Sequence, residues 1–211
     1  MDSLQKVKSH LHIVFCAEHY NPLGVVRSLG EAGIPPIAII LRSNLHITSR
    51  SKYLKKRFFV DSVEEGYRLL LDTFGSQPEK PFVYTCDDTI ANFLDAHYDA
   101  LKDRFFFFNA GVPERIAQFQ NKEAILQLAQ KHGLSFLKTY TVDVGEIPEG
   151  LEYPVITKAI ISTIPNWKDD MVICRDESEL REAYRHIRSP KVLIQKYIEK
   201  KNELCMEGLS V

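Results

Sequence analysis

Five short apolar runs rich in β-forming residues, at 11–16, 37–41, 58–60, 82–85 and 105–108, alternate with stretches of helical periodicity over the first hundred-odd residues. Strands alternating with helices in this way build a parallel, doubly wound α/β sheet. The breaks between runs carry matching punctuation. Asn21-Pro22 predicts a helix start with proline at the first helical position, and Gly30 to Gly33 ends that helix before the Gly33-Ile34-Pro35-Pro36 breaker. Ser62-Val63-Glu64-Glu65 has capping-box form, and Val63, Tyr67, Leu70 and Phe74 fall on one helical face behind it. A further helix is predicted over 88–97.

The rhythm then changes. Residues 113–120 and 121–132 read as two consecutive helices, the second with Ile125, Leu128, Ala129 and His132 aligned. Beyond them come short strands at 137–142, 155–158 and 171–174, a helix over 178–186 capped by Asp176, and strands at 192–198 and 203–210. Strands joined by one helix and tight turns predict an α+β, largely antiparallel unit. Because the last strand runs straight into Val211, the chain is expected to be the front of something longer, with a terminal strand docked in a sheet as the alternative.

Composition narrows the function classes. With 211 residues, 45% hydrophobic and 26% charged, the chain has ordinary globular usage and enough length for one or two domains. Twenty-seven basic against 28 acidic residues leave a formal charge of −1, which gives no electrostatic footprint for nucleic acid or an anionic membrane. No apolar run is long enough to span a bilayer, and the N-terminus lacks a signal-peptide core. Cys16, Cys86, Cys174 and Cys205 are widely spaced with no C-x-x-C, which fits a reducing cytoplasm.

The common cofactor motifs are missing. The turn Cys16-Ala17-Glu18-His19-Tyr20-Asn21-Pro22-Leu23-Gly24 holds one glycine where G-x-G-x-x-G needs three, and there is no P-loop, H-E-x-x-H or G-x-S-x-G. His10 and His12 are expected at the surface rather than on a metal. Asp87 and Asp88 follow a strand at the carboxyl edge where open α/β sheets bind ligands, although helix capping accounts equally well for at least one of them.

The informative pattern lies in the second half. Asn121-Lys122 opens a helix, Tyr153-Pro154-Val155-Ile156-Thr157-Lys158 is a strand ending in lysine, and Val192-Leu193-Ile194-Gln195-Lys196-Tyr197-Ile198 is a strand followed at a short interval by Glu203. This order resembles the ATP-grasp superfamily, and the stretch Asn21-Pro22-Leu23-Gly24-Val25-Val26-Arg27-Ser28-Leu29 is similar to carboxylate-amine ligases of the D-aspartate ligase and carbamoyl-phosphate synthase type. The resemblance implies a Rossmann-like preATP-grasp domain over 1–112, linking helices over 113–135, and the N-terminal part of an ATP-grasp domain over 136–211. It also implies an ATP-dependent ligase joining a small-molecule carboxylate to an amine through an acylphosphate, with ATP and Mg²⁺ as cofactors and a homodimer as a possible assembly.

On that resemblance, Lys122 and Lys158 act as point charges on the phosphates, a role suited to ammonium groups. A strand sends the C=O of one residue and the N–H of the residue two further on to the same edge, so Lys196 C=O and Ile198 N–H are placed to read adenine. Glu203 accepts from the ribose hydroxyls, and Gln195 stands where many relatives carry Glu. Tyr153, Trp167 and Ile198 are candidates for apolar walls, with core packing as their plainer role. The family's glycine-rich phosphate loop is replaced by a glycine-free segment after Lys158, leaving Ser162, Thr163 or Lys168 to do its work. The metal ligands and catalytic arginine of the family fall beyond Val211, so this length of chain is expected to be inactive alone. Each residue singly also has a plain structural role, and a non-catalytic α/β module binding a small ligand or a partner protein stays open as the alternative. A Rossmann-like enzyme acting on a nucleotide sugar is weaker, for want of a base paired with a phosphate loop.

Overall fold

The computed structural model describes residues 3–160 and 167–202; Ser162, Thr163, Glu203 and the strand expected over 203–210 lie outside them. The chain divides into two units, Met1–Phe119 and Gln120–Val211. The segment 113–135 is thereby shared, its first helix going with the first unit and its second with the other.

In the first unit the order is α1 (Ser3–Ser9), β1 (His12–Cys16), α2 (Tyr20–Glu31), β2 (Ile37–Leu41), β3 (Lys56–Val60), α3 (Val63–Phe74), β4 (Phe82–Thr85), α4 (Asp88–Ala96), α5 (Tyr98–Leu101), β5 (Phe106–Phe107) and α6 (Arg115–Gln120). The five strands form one parallel sheet in the order β3-β2-β1-β4-β5, with Phe15 opposite Ile39 on one side and Thr85 on the other. Every residue of β1 is buried, because alternate side chains feed two cores. Ile13, Phe15 and Ile39 pack with Leu70, Phe74, Ile90 and Leu94 on one face, while Val14, Cys16, Ala38 and Ile40 pack with Val26 on the other. Full burial of each Val, Leu, Ile or Phe among them stabilises by about 1.5–3 kcal/mol relative to exposure.

Local signals set the helix starts. Ser62 accepts from Glu65 N–H at 3.1 Å, while the Glu65 carboxylate accepts from Asp61 N–H at 2.7 Å. Asp87 caps α4 by accepting from Ile90 N–H at 2.9 Å. At α2 the cap is His19 rather than Asn21: its Nδ1 accepts from Asn21 N–H at 3.3 Å, and the helix opens at Tyr20. Pro22 then sits within the first turn, where a backbone donor is not needed.

Two expectations change at the amino edge of this sheet. The short α1 has no apolar periodicity to announce it. His12 is not a surface residue but 3% exposed, with Nε2 donating to Val7 O at 3.0 Å and Nδ1 accepting from Tyr84 O–H at 2.9 Å. A carbonyl only accepts, so these partners fix the neutral tautomer with hydrogen on Nε2. Burial holds the imidazole below the ordinary histidine range. His10 is also tucked in, its Nδ1 donating to Lys80 O at 2.8 Å.

The second unit runs α7 (Lys122–Lys131), β6 (Thr139–Asp143), β7 (Val155–Ala159), a 3₁₀ turn (Trp167–Asp170), β8 (Ile173–Cys174), α8 (Glu177–Tyr184) and β9 (Lys191–Lys196). Its sheet is antiparallel in the order β6-β9-β7-β8. Val155, Val192, Ile194 and Cys174 face α8 and pack on Leu180, Ala183 and Tyr184. Alternation sends Thr139, Thr141, Ile156, Lys158, Leu193 and Gln195 to the opposite face. Asp176 caps α8 as expected, accepting from Glu179 N–H at 2.9 Å. No helix among the described residues is long and apolar enough to cross a membrane.

Candidate functional site

The face of the second sheet turned away from α8 carries two lysines at paired strand positions, Lys191, which lies beside Asp143, and Lys158. Lys158 stands opposite Leu193, one diagonal step from Gln195, which is itself opposite Ile156 and Thr139. The Lys158 ammonium donates to Gln195 Oε1 at 2.9 Å, and Gln195 Nε2 donates to Thr139 Oγ1 at 2.9 Å. Lys158 forms no ion pair among the described residues, so its acceptor here is neutral.

Lys122 comes to the same end of β7 through its backbone. Asn121 Oδ1 caps α7 by accepting from Glu123 N–H at 2.9 Å and Ala124 N–H at 3.2 Å, and Lys122 N–H donates to Ile160 O at 3.3 Å. The first residue of α7 is therefore fixed two residues past Lys158. A cavity of about 160 Å³ lies between α7 and the sheet face, lined by Glu123, Gln127, Phe136, Thr139 and Thr141 among others.

The register also sorts the edges of β9. Tyr197 N–H donates to Pro154 O at 2.9 Å, so Tyr197 turns its backbone groups toward β7. Lys196 C=O and Ile198 N–H consequently share the other edge, past Thr139 opposite Gln195, the last paired position of β6. Ile198 is exposed, whereas Tyr153 packs against the α8-side core. The Lys196 side chain leaves on the α8 side and donates to Glu152 at 2.7 Å. That ammonium holds the Glu152 carboxyl below its ordinary range.

Asp170, which follows the glycine-free segment, is held by residues the sequence did not single out. Asp170 is buried, and its carboxylate accepts from Arg188 N–H at 3.1 Å, Ser189 N–H at 3.2 Å and the Ser189 hydroxyl. The Thr157 hydroxyl donates to Asp170 O at 2.7 Å. Asp170 sits in no periodic pattern and Thr157 reads only as an inward strand position, so no sequence signal pointed to this contact. Lys168 lies in the 3₁₀ turn just before.

In the first unit, the carboxyl edge gathers Cys16, Glu18, Cys86 and Asp87. Glu18 is buried and accepts from the N–H groups of Ile47 at 2.9 Å, Thr48 at 2.6 Å and Ser49 at 3.2 Å. It pins the loop between β2 and β3 to the turn after β1, a role with no sequence signature. Burial pushes the Asp87 carboxyl above its ordinary range, and its Oδ2 has no partner among the described residues. Burial likewise pushes the Cys86 thiol up to about 11 and the Cys16 thiol higher still. No group of three or more His, Cys, Asp or Glu among the described residues is arranged to hold a metal ion.

No family model and no curated protein matches this chain. Solved structures do. An L-amino acid ligase from Bacillus licheniformis is 16% identical with a TM-score of 0.66, over 90% of this chain and 44% of its own. An N5-carboxyaminoimidazole ribonucleotide synthetase in its ADP complex is 13% identical with a TM-score of 0.67, over 90% and 48%. An N5-carboxyaminoimidazole synthetase from Staphylococcus aureus complexed with ADP is 14% identical with a TM-score of 0.62, over 90% and 48%. The chain thus spans about half the length of the proteins it matches. At these identities the likeness shows the fold alone: an α/β chain with a five-stranded parallel sheet followed by a four-stranded antiparallel one.

Proposed function

We propose that this chain is the nucleotide-binding front portion of an ATP-dependent ligase that joins a small-molecule carboxylate to an amine. The observation that carries the reading is a line of groups along one sheet. The edge of Lys196 C=O and Ile198 N–H comes first, the Lys158 and Gln195 pair next, and the Lys122 contact with Ile160 last. With Lys158 opposite Leu193, Ile160 falls level with Lys191. At the strand rise of roughly 3.3 Å per residue the line from Lys196 spans about 17 Å, the scale of an extended nucleoside triphosphate.

Each group then has a task. Lys196 C=O accepts from the adenine amino group, and Ile198 N–H donates to the adjacent ring nitrogen. Lys158 and Lys122 meet the phosphates, and Glu203 takes the ribose hydroxyls. The likeness to two synthetases solved with ADP supports a nucleotide here. In the reaction, a substrate carboxylate oxygen attacks the γ-phosphorus and ADP leaves; the amine then attacks the acyl carbon and phosphate leaves. No group of three or more His, Cys, Asp or Glu among the described residues is arranged to hold a metal ion, and no step is assigned to Mg²⁺. This length of chain is proposed to bind nucleotide without turning it over.

Calorimetric titration of ADP, with and without Mg²⁺, into the chain and its Lys158→Ala variant tests the reading. Saturable binding lost in the variant supports it. Equal binding by both removes Lys158 from the site, and absence of any binding favours the non-catalytic α/β module.

A further inference from the structure

A chain of hydrogen bonds stands behind Lys158, and its direction is fixed at both ends. The Thr139 hydroxyl donates to Leu137 O at 2.7 Å, and a carbonyl can only accept, so the single hydroxyl hydrogen is spent there. What Thr139 offers Gln195 is therefore a lone pair, and the amide group 2.9 Å away must be the NH₂. That turns Gln195 Oε1 to the other side, toward the Lys158 ammonium at 2.9 Å, which can only donate. A flipped amide would set NH₂ against NH₃⁺ and C=O against an oxygen with no hydrogen left.

We infer that Thr139, acting through Gln195, is a positioning residue for Lys158, and that position 195 carries a neutral amide because Thr139 demands a donor there. The inference rests on the nucleotide reading of Lys158 for its purpose, though not for its geometry. Thr139 sits directly opposite Gln195 in the β6–β9 register, and its branched Cβ limits its rotamers. Among the described residues the ammonium is held by one acceptor, which leaves two of its three hydrogens and its whole positive charge for a phosphate. A carboxylate at 195 would neutralise that charge and aim an oxygen at the spent hydroxyl.

The test uses the chain with Thr139→Val, Thr139→Ser and Gln195→Glu, each checked for an unchanged urea midpoint. The first readout is the NMR signal of the Lys158 ammonium, assigned by its loss in Lys158→Ala. Its hydrogen exchange with water is expected to quicken about fivefold in Thr139→Val, the worth of one ordinary hydrogen bond, and to return in Thr139→Ser. Unchanged exchange in Thr139→Val overturns the inference without any ligand. The second readout is ADP affinity. Thr139→Val is expected to weaken binding about fivefold with rescue by serine, and Gln195→Glu to weaken it about tenfold with a shallower salt dependence. If Lys158→Ala abolishes binding while Thr139→Val leaves it intact, the positioning role fails and the nucleotide reading stands. If ADP binds none of the proteins, the nucleotide reading fails and the exchange result alone decides the positioning role.

Discussion

Gly66 on α3 lies against the Phe15 ring of β1 so closely that a Cβ at position 66 would fall 2.3 Å from Phe15 Cζ. Phe15 is fully buried and central to the sheet, so the ring has nowhere to go. Overpacking of this kind costs about 1–3 kcal/mol and outweighs the ~1 kcal/mol an alanine gains in a helix. Gly66→Ala is therefore expected to lower the urea midpoint. Gly24 in α2 has nothing within 4 Å, so Gly24→Ala is expected to raise it. Equal responses from the two glycines would show that contact with Phe15 is not what decides the sign.

Glu18 gathers three backbone donors from the loop between β2 and β3. All three reach Oε2, so a glutamine that keeps them sets its NH₂ against Ser49 N–H, which also reaches Oε1 at 3.3 Å, and loses the charge that strengthens all of them. Glu18→Gln is expected to cost about 2–3 kcal/mol. Amide hydrogen exchange at Ile47, Thr48 and Ser49 should rise with it, and slow exchange at those three amides in the variant would contradict the assignment.

Asp87 gives the first unit a pH dependence. Burial raises its folded-state pKa, so between the unfolded and folded values the native state holds the proton and the unfolded state does not. Stability from this group is full below the ordinary aspartate range and falls as pH rises through the folded value. Asparagine caps a helix as well as aspartate does and carries no charge. Asp87→Asn should thus raise the urea midpoint at pH 7 and flatten its decline across the acidic range, both read from melts at several pH values.

The thiols of Cys16 and Cys86 are held protonated at neutral pH by burial, with nearby carboxylates adding to the effect. Since the thiolate is the reactive form, alkylation of the native protein at pH 7.5 should leave Cys16 unmodified and Cys86 slow. Peptide mass mapping before and after unfolding in urea reads this directly; prompt labelling of Cys16 in the native state would contradict the buried position of β1.

The sheet of the first unit was legible because its strands are uninterrupted apolar runs, and 37–41 matches β2 at both ends. What escaped notice depends on partners far along the chain. His12 looked like a surface residue until Val7 and Tyr84 enclosed it, and the His19 cap needed a ring nitrogen that no common capping rule supplies. In the second unit, Lys158 and Gln195 were singled out from their order in the sequence. Their mutual hydrogen bond and its continuation to Thr139 follow from register, which spacing alone does not state. Glu18 and Asp170 were invisible for the same reason, since each binds backbone donors of a distant loop.

The last described strand, β9, occupies an inner position between β6 and β7. During synthesis β6 leaves the ribosome with no ladder to join and β7 meets only the two-residue β8, because the element that hydrogen-bonds to both β6 and β7 arrives only when residues 191–196 emerge. The parallel unit has the opposite timetable: β1, its middle strand, is made first and each later strand finds a waiting edge. Co-translational assembly should therefore be gradual in the first unit and abrupt in the second, with a ribosome stalled before β9 presenting unpaired edges of the kind that chaperones bind.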